Sequence, residues 1–168
     1  MDLILWRHAD AGEPVSDPID DLQRGLTTKG VKQAARMADW LNRFLPESTR
    51  VLVSPALRCQ GTAQTLGRKF QTREALGPGG TVGNLLTLAR WPDRREPVLI
   101  VGHQPTLGMT AALLMGGTQG SVEAATEQSV HATPAWSVRK GSVWWLRHRQ
   151  RSGVAEVVLV SMRSPDNL

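Results

Sequence analysis

The stretch LILWRH, residues 3–8, places four apolar side chains directly before an arginine and a histidine. An uninterrupted apolar run of this kind is typical of a short strand that is covered on both faces. A buried strand that stops on two groups which prefer water or an anion indicates that its end reaches a polar site. The end of this first strand therefore bears on both the fold and the function.

Two later apolar runs end in a similar way. RVLVSP, residues 50–55, precedes Arg58 by three positions, and PVLIVGH, residues 97–103, ends on a histidine. In an open parallel sheet, ligands bind in the crevice beyond the carboxyl ends of the strands. We therefore expect the polar residues at the three strand ends to meet in one pocket: Arg7, His8, Arg58 and His103.

The segments between these strands have helical periodicity. Thr27 and Thr28 are suited to cap a helix whose apolar positions are Val31, Ala34, Ala35, Ala38, Leu41 and Leu45. A second helix is expected to carry Leu57, Ala63, Leu66 and Phe70. A third, shorter helix is expected within residues 80–91, and an apolar helix within residues 105–117.

This alternation of strands and helices predicts an α/β fold with three layers: a mostly parallel central sheet and helices on both faces. Residues 141–149 and 154–162 flank a short polar stretch and predict a C-terminal antiparallel hairpin or edge pair. Residues 116–135 have no clear pattern and are predicted as loop. Because no linker divides the chain, residues 1–168 are expected to form a single domain.

Composition restricts the classes of protein that fit. The formal charge of +5 is concentrated partly in residues 138–142 and 146–153, which we interpret as solvated turns, because the aromatic-basic pattern of an RNA-binding sheet is missing. Cys59 is the only cysteine, which excludes an internal disulfide and a thiolate metal cluster, and we expect it to pack in the core. The N-terminal residues do not resemble a leader and the apolar runs are too short to span a bilayer, so we expect a soluble protein without a membrane partner. The single cysteine favours a cytoplasmic location, and we expect no nucleic-acid partner.

The predicted pocket has the chemistry of a phosphate site. Two guanidinium groups held close together repel each other unless an anion lies between them, and their planar donors match phosphate oxygens. A neutral imidazole can attack phosphorus and form a covalent phosphohistidine. The remaining cationic groups can then neutralise the charge that develops on the phosphoryl oxygens.

Five motifs together resemble the histidine phosphatase superfamily, the phosphoglycerate-mutase-like proteins, and within it the SixA-type phosphohistidine phosphatases. They are WRHADAG (6–12), RGLTTKG (24–30), VLVSPALRCQGTAQTL (51–66), VLIVGHQPTLG (98–108) and MRSPDNL (162–168). The resemblance implies that His8 is the phosphorylated nucleophile and that Arg7, Arg58 and His103 bind the transferred group. It also implies a role near the phosphate for Arg24, and a reaction without cofactor or metal.

Two features of the sequence differ from this family pattern. Ala9 stands where a glycine usually follows Arg-His, which would be strained if the position required a positive φ. The general acid of larger relatives has no clear counterpart here. Glu74 is the nearest candidate by position, and a solvated acid beside Arg73 is an equal interpretation of it. Asp10 is close to His8 in sequence, but its side chain could point elsewhere.

A weak general acid bears on the substrate, because imidazole leaves phosphorus far more readily than an alkoxide does. The short interval between Phe70 and Pro97 also leaves no room for a large lid over a small metabolite. We therefore expect a phosphatase that acts on phosphohistidine of another protein. The alternatives are a broad-specificity phosphomonoesterase for small phosphoesters, and a non-catalytic module that binds phosphate or phosphoproteins.

Other phosphatase classes fit less well. A cysteine phosphatase needs an arginine six positions after the cysteine, where this chain has Thr65. Asp17, Asp20 and Asp21 could in principle bind a metal, but a solvated acidic loop is the expected interpretation. Among the tryptophans, Trp6, Trp40 and Trp144 are expected in the core or on sheet faces, and Trp136 or Trp145 are the candidates for exposure.

Overall fold

A computed structural model describes residues 1–116, 135–151 and 154–168, so most of the loop predicted at 116–135 lies outside the described residues. The strands form one sheet with the order β3-β2-β4-β1-β5-β6. Parallel pairing joins β3, β2, β4 and β1, whereas β5 pairs antiparallel with β1 and with β6. The strands are β1 (Asp2–Arg7), β2 (Arg50–Val53), β3 (Gln71–Thr72), β4 (Val98–Gly102), β5 (Val143–Arg151) and β6 (Val154–Arg163).

The predicted α/β class and the C-terminal antiparallel hairpin are confirmed. The helices are α1 (Pro18–Gln23), α2 (Thr28–Phe44), α3 (Leu57–Gln64), α4 (Val82–Ala89) and α5 (Thr106–Met115). Single 3-10 turns cover Glu74–Leu76 and Pro165–Asn167. None of the helices among the described residues combines the length and the apolar character needed to cross a lipid bilayer.

Alternate residues of β1 face two separate hydrophobic clusters, which explains why the whole run is apolar. Leu3 and Leu5 pack in a cluster with side chains of α4 and α5. Ile4 and Trp6 pack in the other cluster, with side chains of α2 and α3. The sheet is therefore the middle of three layers, with helices on both faces as predicted.

The predicted cap of α2 is confirmed, but part of its predicted apolar face is wrong. Thr27 is the N-cap, and its Oγ1 accepts a hydrogen bond of 3.0 Å from the amide of Gly30. Val31 and Ala35 are exposed. Val31 lies in the first turn beside an open surface groove, and Ala35 lies about 100° around the helix from the buried Ala34.

The second helix is shorter than predicted. It ends at Gln64, before Leu66 and Phe70, because the chain turns at Gly67 with a left-handed φ of 65°. Leu57, at the start of α3, is exposed. Cys59 is fully buried, as predicted.

One helix and one strand of the described residues were missing from the prediction. Residues 18–23 belong to α1 rather than to a polar loop, although Asp17 and Pro18 form a recognisable start signal. The Asp17 carboxylate accepts hydrogen bonds from the amides of Ile19 and Asp20. The second missing element, β3, has only two residues, both exposed, and no apolar pattern marks it.

The tryptophans are distributed almost as expected. Trp6 is fully buried and donates a hydrogen bond of 2.9 Å to the carbonyl of Gly141. Trp136 is exposed, with its ring centroid 5.5 Å from that of Trp144. Trp145, the other candidate for exposure, is buried, because β5 places it in the cluster with Trp6 and its Nε1 donates to the Asp2 carboxylate.

Several charges of the basic C-terminal stretches have carboxylate partners within the protein. The ammonium of Lys140 lies 2.9 Å from Asp10, and the guanidinium of Arg147 lies 2.7 Å from Asp2. These contacts tie the C-terminal part of the chain to both ends of β1.

Residues 136–142 form a segment that crosses the carboxyl end of β1. The carbonyl of Trp136 accepts a hydrogen bond of 2.8 Å from the Gln104 amide, and the carbonyl of Val138 accepts one of 2.7 Å from the Arg7 guanidinium. The amide of Gly141 donates to the carbonyl of His8 over 3.0 Å. The 136–142 segment therefore holds both residues at the end of the first strand.

The close approach of this segment to α5 gives a test of the fold. A Cβ at Gly108 would lie 1.8 Å from the carbonyl oxygen of Trp136, whereas a Cβ at Gly83 in α4 would meet nothing within 4 Å. We expect Gly108→Ala to lower the free energy of unfolding by about 1–3 kcal/mol through overpacking. Gly83→Ala is the control and should raise it by about 0.5–1 kcal/mol. Urea denaturation measures both, and equal stability of the two variants would contradict the described path of residues 136–142.

Candidate active site

The parallel pairing of β1 with β4 brings two histidines together. Arg7 is in register with Gly102, so His8 and His103 both follow the ends of adjacent strands. The His8 amide also donates to the Gly102 carbonyl over 3.1 Å. The two imidazole rings lie with their centroids 5.3 Å apart and their planes tilted by 56°.

The ring of His8 is held in one tautomer. Its Nδ1 lies 2.8 Å from the carbonyl oxygen of Ala9. Because a carbonyl can only accept, Nδ1 carries the proton and Nε2 retains its lone pair. The amide of Ala9 donates to Thr62 Oγ1 over 3.0 Å, which anchors this loop on α3. The only non-glycine residue with positive φ in the described ranges is Arg90, so the alanine is not strained.

Burial keeps both imidazoles uncharged at neutral pH. His8 and His103 are 6% and 4% exposed. Burial, together with the charges of Arg58 and Arg7, lowers the pKa of His8 to about 4, although the hydrogen bond to Ala9 opposes the shift. Burial, followed by the proximity of His8 and Arg58, lowers the pKa of His103 to about 3. A neutral imidazole is the form that can act as a nucleophile.

The two predicted arginines lie in the same cluster, and each retains a donor without a hydrogen-bond partner among the described residues. Arg58 is 3% exposed, and its guanidinium Nη2 lies 3.0 Å from a carboxylate oxygen of Asp21. Arg7 uses Nη1 to bind the carbonyl of Val138. The Nε atoms of both arginines are buried and lack a hydrogen-bond partner among the described residues. Both charges help to lower the pKa of each histidine.

Asp21 is the residue of this site that the sequence interpretation missed. Its carboxylate bridges two arginines, with Oδ1 at 2.9 Å from Arg24 Nη2 and Oδ2 at 3.0 Å from Arg58 Nη2. Burial raises the pKa of Asp21, but the hydrogen bond from the Val15 amide, the hydrogen bond from Arg24 and the charges of the two arginines outweigh this and lower it. The i,i+3 spacing of Asp21 and Arg24 at the end of α1 was the available signal.

Arg24 lies near His8, but its guanidinium is held by protein oxygens. Besides the contact with Asp21, its Nη1 donates to the carbonyl of Ala11 over 2.7 Å and to that of Gly12 over 3.2 Å. Its charge still contributes to the lowered pKa of His8. In the described arrangement Arg24 therefore fixes the loop after β1 and adds positive charge to the site.

The two candidate acids have different surroundings: Asp10 is held by hydrogen bonds, and Glu74 is exposed. Asp10 accepts hydrogen bonds from Lys140 over 2.9 Å and from Thr27 Oγ1 over 2.8 Å, and these contacts lower its pKa. Glu74 is exposed in the 3-10 turn and lines an open groove of about 260 Å³. Leu22 and Pro55, which line the same groove, directly follow Asp21 and Ser54 of the site. Glu74 therefore lies beside the site rather than inside the buried cluster.

A family model and several known proteins are similar to this chain. The family model of the histidine phosphatase superfamily (branch 1) matches residues 3–77. The phosphohistidine phosphatase SixA of Escherichia coli is 33% identical over 125 residues, which cover 70% of this chain and 76% of that protein.

Two solved structures have the same fold. A SixA protein from Nakamurella multipartitia superposes with a TM-score of 0.70 at 26% identity, covering 98% of this chain and 95% of the other. The protein histidine phosphatase SixA complexed with tungstate superposes with a TM-score of 0.69 at 24% identity, covering 99% of both chains.

The chain therefore belongs to the histidine phosphatase superfamily, and its enzyme class is that of a phosphatase. Within the superfamily it is of the SixA type.

The lowered pKa values of the two histidines predict how stability depends on pH. Each imidazole has an ordinary pKa of 6.5 when unfolded and a lower one when folded, so the unfolded chain binds more protons between pH 6.5 and about 4. Their contribution to stability is complete above pH 6.5 and is lost as the pH falls, at up to about 1.4 kcal/mol per pH unit for each group.

Urea denaturation between pH 7 and pH 4.5 in phosphate-free buffer measures this slope. We expect the slope to become shallower in the His8→Asn/His103→Asn variant. A residual slope remains from His148, whose pKa burial also lowers, and, near pH 4.5, from carboxylates with lowered pKa values such as that of Asp21. Wild type and variant having the same slope would show that the two imidazoles are not buried in the neutral form.

Proposed function

We propose that this phosphatase removes the phosphoryl group from phosphohistidine on another protein, with His8 as the nucleophile. The observation that carries the proposal is the pair of buried neutral imidazoles beside Arg7 and Arg58. The SixA relative from Escherichia coli is described as a phosphohistidine phosphatase, which supports the same substrate class.

In the first step, Nε2 of His8 attacks phosphorus. The hydrogen bond from Nδ1 to the Ala9 carbonyl leaves Nε2 as the nucleophilic nitrogen and stabilises the positive charge that the ring gains. The bond between phosphorus and His8 forms as the bond to the substrate imidazole breaks. In the second step a water oxygen attacks phosphorus as the bond between phosphorus and Nε2 of His8 breaks. Both protons of the water leave with the inorganic phosphate, and His8 returns to its neutral form with the proton on Nδ1.

The proposed role of Arg7, Arg58 and His103 is to bind the oxygens of the transferred group. The Nε donors of the two arginines are buried and unpaired in the described residues, so an anion between the guanidinium groups can satisfy them. Arg24 is proposed to contribute positive charge near the phosphate. Its contact with Asp21 holds the guanidinium in place for this role.

The leaving group accounts for the choice of phosphohistidine over a phosphate ester. A phosphohistidine whose second ring nitrogen is protonated leaves as neutral imidazole and needs no acid at the scissile nitrogen. An alkoxide leaving group does need a proton donor. We propose Glu74 as that donor in the slower hydrolysis of phosphate esters, because it lines the neighbouring groove. The region between Phe70 and Pro97 holds only β3, the 3-10 turn and α4, which leaves no segment there for a large lid. A groove that is open to solvent can admit a phosphorylated side chain of a large partner protein.

A comparison of substrates tests the proposal. We expect kcat/KM to be highest for a phosphohistidine peptide, lower for para-nitrophenyl phosphate and lowest for sugar phosphates, with no effect of EDTA because the proposed steps use no metal. Glu74→Gln should leave the phosphohistidine rate unchanged and lower the rate on the esters. Faster turnover of sugar phosphates than of the peptide would assign the enzyme to small phosphoesters instead.

The same assay needs His8→Ala as its control. This variant should lose turnover of every substrate and should still bind inorganic phosphate in a calorimetric titration, because the arginines remain. Activity that survives in His8→Ala, or that EDTA abolishes, would contradict the proposed mechanism.

A further inference from the structure

Ser54 is a fully buried hydroxyl in contact with His103. It is the first residue after β2 and has no exposed surface. Its amide donates to the carbonyl of Val101 over 3.1 Å, which fixes its position beside the end of β4. Its Oγ lies 2.7 Å from Nε2 of His103, a distance typical of a strong hydrogen bond.

A second contact favours one direction for this hydrogen bond. The amide of Ala56 donates to Ser54 Oγ over 3.2 Å. A hydroxyl that accepts in this way still has its own hydrogen to give, and the unprotonated Nε2 of a neutral imidazole is an acceptor for it. The Ser54 hydroxyl then accepts from the Ala56 amide and donates to His103, so this fully buried group has a partner for each hydrogen bond.

The alternative direction would place the wrong atom in the site. The contacts of the His103 ring nitrogens with Ser54 and Cys59 both involve Nε2, and no hydrogen bond to Nδ1 occurs among the described residues, so Nδ1 is the nitrogen left to face the transferred group. If Nε2 carried the proton and donated to Ser54, Nδ1 would present a lone pair. Phosphoryl oxygens only accept hydrogen bonds, so a bare Nδ1 would repel them. Because burial lowers the pKa of His103 to about 3, the ring has only one proton to place near pH 7.

We propose that Ser54 is a positioning residue whose hydroxyl donates to Nε2 of His103 and so keeps the ring proton on Nδ1, where it can be donated to the transferred phosphoryl group. The inference rests on the proposed role of His103 in binding that group. Ser54 itself touches neither substrate nor nucleophile in this account, and it acts only through the tautomer of its neighbour.

Cys59 offers a matched control at the same nitrogen. Its Sγ lies 3.5 Å from His103 Nε2 and it is as buried as Ser54. A thiol is a weak donor, and burial raises the pKa of this one to about 12, so it remains protonated. The thiol donates to the Gly102 carbonyl over 3.8 Å and is also hydrogen-bonded to Ser54. Because Ser54 keeps its own contact with Nε2 when the thiol is removed, Cys59→Ala should change packing without changing the tautomer.

Long-range ¹H–¹⁵N spectra of the imidazoles test the inference without any substrate. In the wild type we expect His103 to carry its proton on Nδ1. In Ser54→Ala we expect signal from the Nε2-protonated form to appear, and in Cys59→Ala we expect the wild-type spectrum. A wild-type His103 protonated on Nε2 would overturn the proposal even if no variant folds.

Kinetics on para-nitrophenyl phosphate provide the second test. Ser54→Ala should lower kcat/KM about tenfold, by analogy with the loss of other groups that orient a histidine. Ser54→Thr, which keeps the hydroxyl, should recover most of the activity, and Cys59→Ala should stay within about twofold of wild type. In a His103→Gln background, Ser54→Ala should have no further effect, because the residue it acts through is gone.

A full tenfold loss from Ser54→Ala in the His103→Gln background would also overturn the proposal. Failure of the proposed function is a separate outcome: turnover that survives in His8→Ala refutes the covalent mechanism, whereas the spectra report on Ser54 and His103 in either case.

Discussion

The chemistry of the site depends on two imidazoles that stay uncharged beside guanidinium groups. Protonation of His8 or His103 would add a positive charge to a buried cluster that already contains Arg7 and Arg58. Burial in the crevice at the sheet edge prevents this, and the same burial leaves the Nε atoms of both arginines without a protein partner among the described residues. A site of this kind stabilises a doubly or triply charged tetrahedral anion far better than it tolerates another cation.

The fold produces this cluster through the position of β4 between β1 and β2. The histidines follow directly on β1 and β4, while β2 leads through Ser54 into α3, which carries Arg58. The surrounding elements then hold the groups in place: Thr62 binds the loop of His8, and the 136–142 segment binds Arg7. Asp21 partly offsets the positive charge and keeps two arginines together.

The three main strands, the alternation of layers and the meeting of His8 with His103 could be predicted from the sequence, because long apolar runs and their polar ends depend on local pattern. The i,i+3 spacing indicates the pair of Asp21 and Arg24, but the contact of Asp21 with Arg58 could not be predicted, since an acidic segment has the same pattern whether it faces water or a distant arginine. Ser54 and Trp145 were equally hidden, because their partners depend on which strands become neighbours. Val31 is exposed because it lies in the first turn of α2 beside an open surface groove, which the helical period does not encode.

The central claim is that one tetrahedral anion lies between these groups with Nε2 of His8 directed at its centre. A crystal structure of the enzyme with orthovanadate tests it most directly, because vanadate adopts the geometry of phosphoryl transfer. The account predicts vanadium bonded to Nε2 of His8, with its oxygens within hydrogen-bonding distance of Arg7, Arg58 and Nδ1 of His103. Vanadate bound away from His8, or bonded through Nδ1 of that residue, would contradict the account.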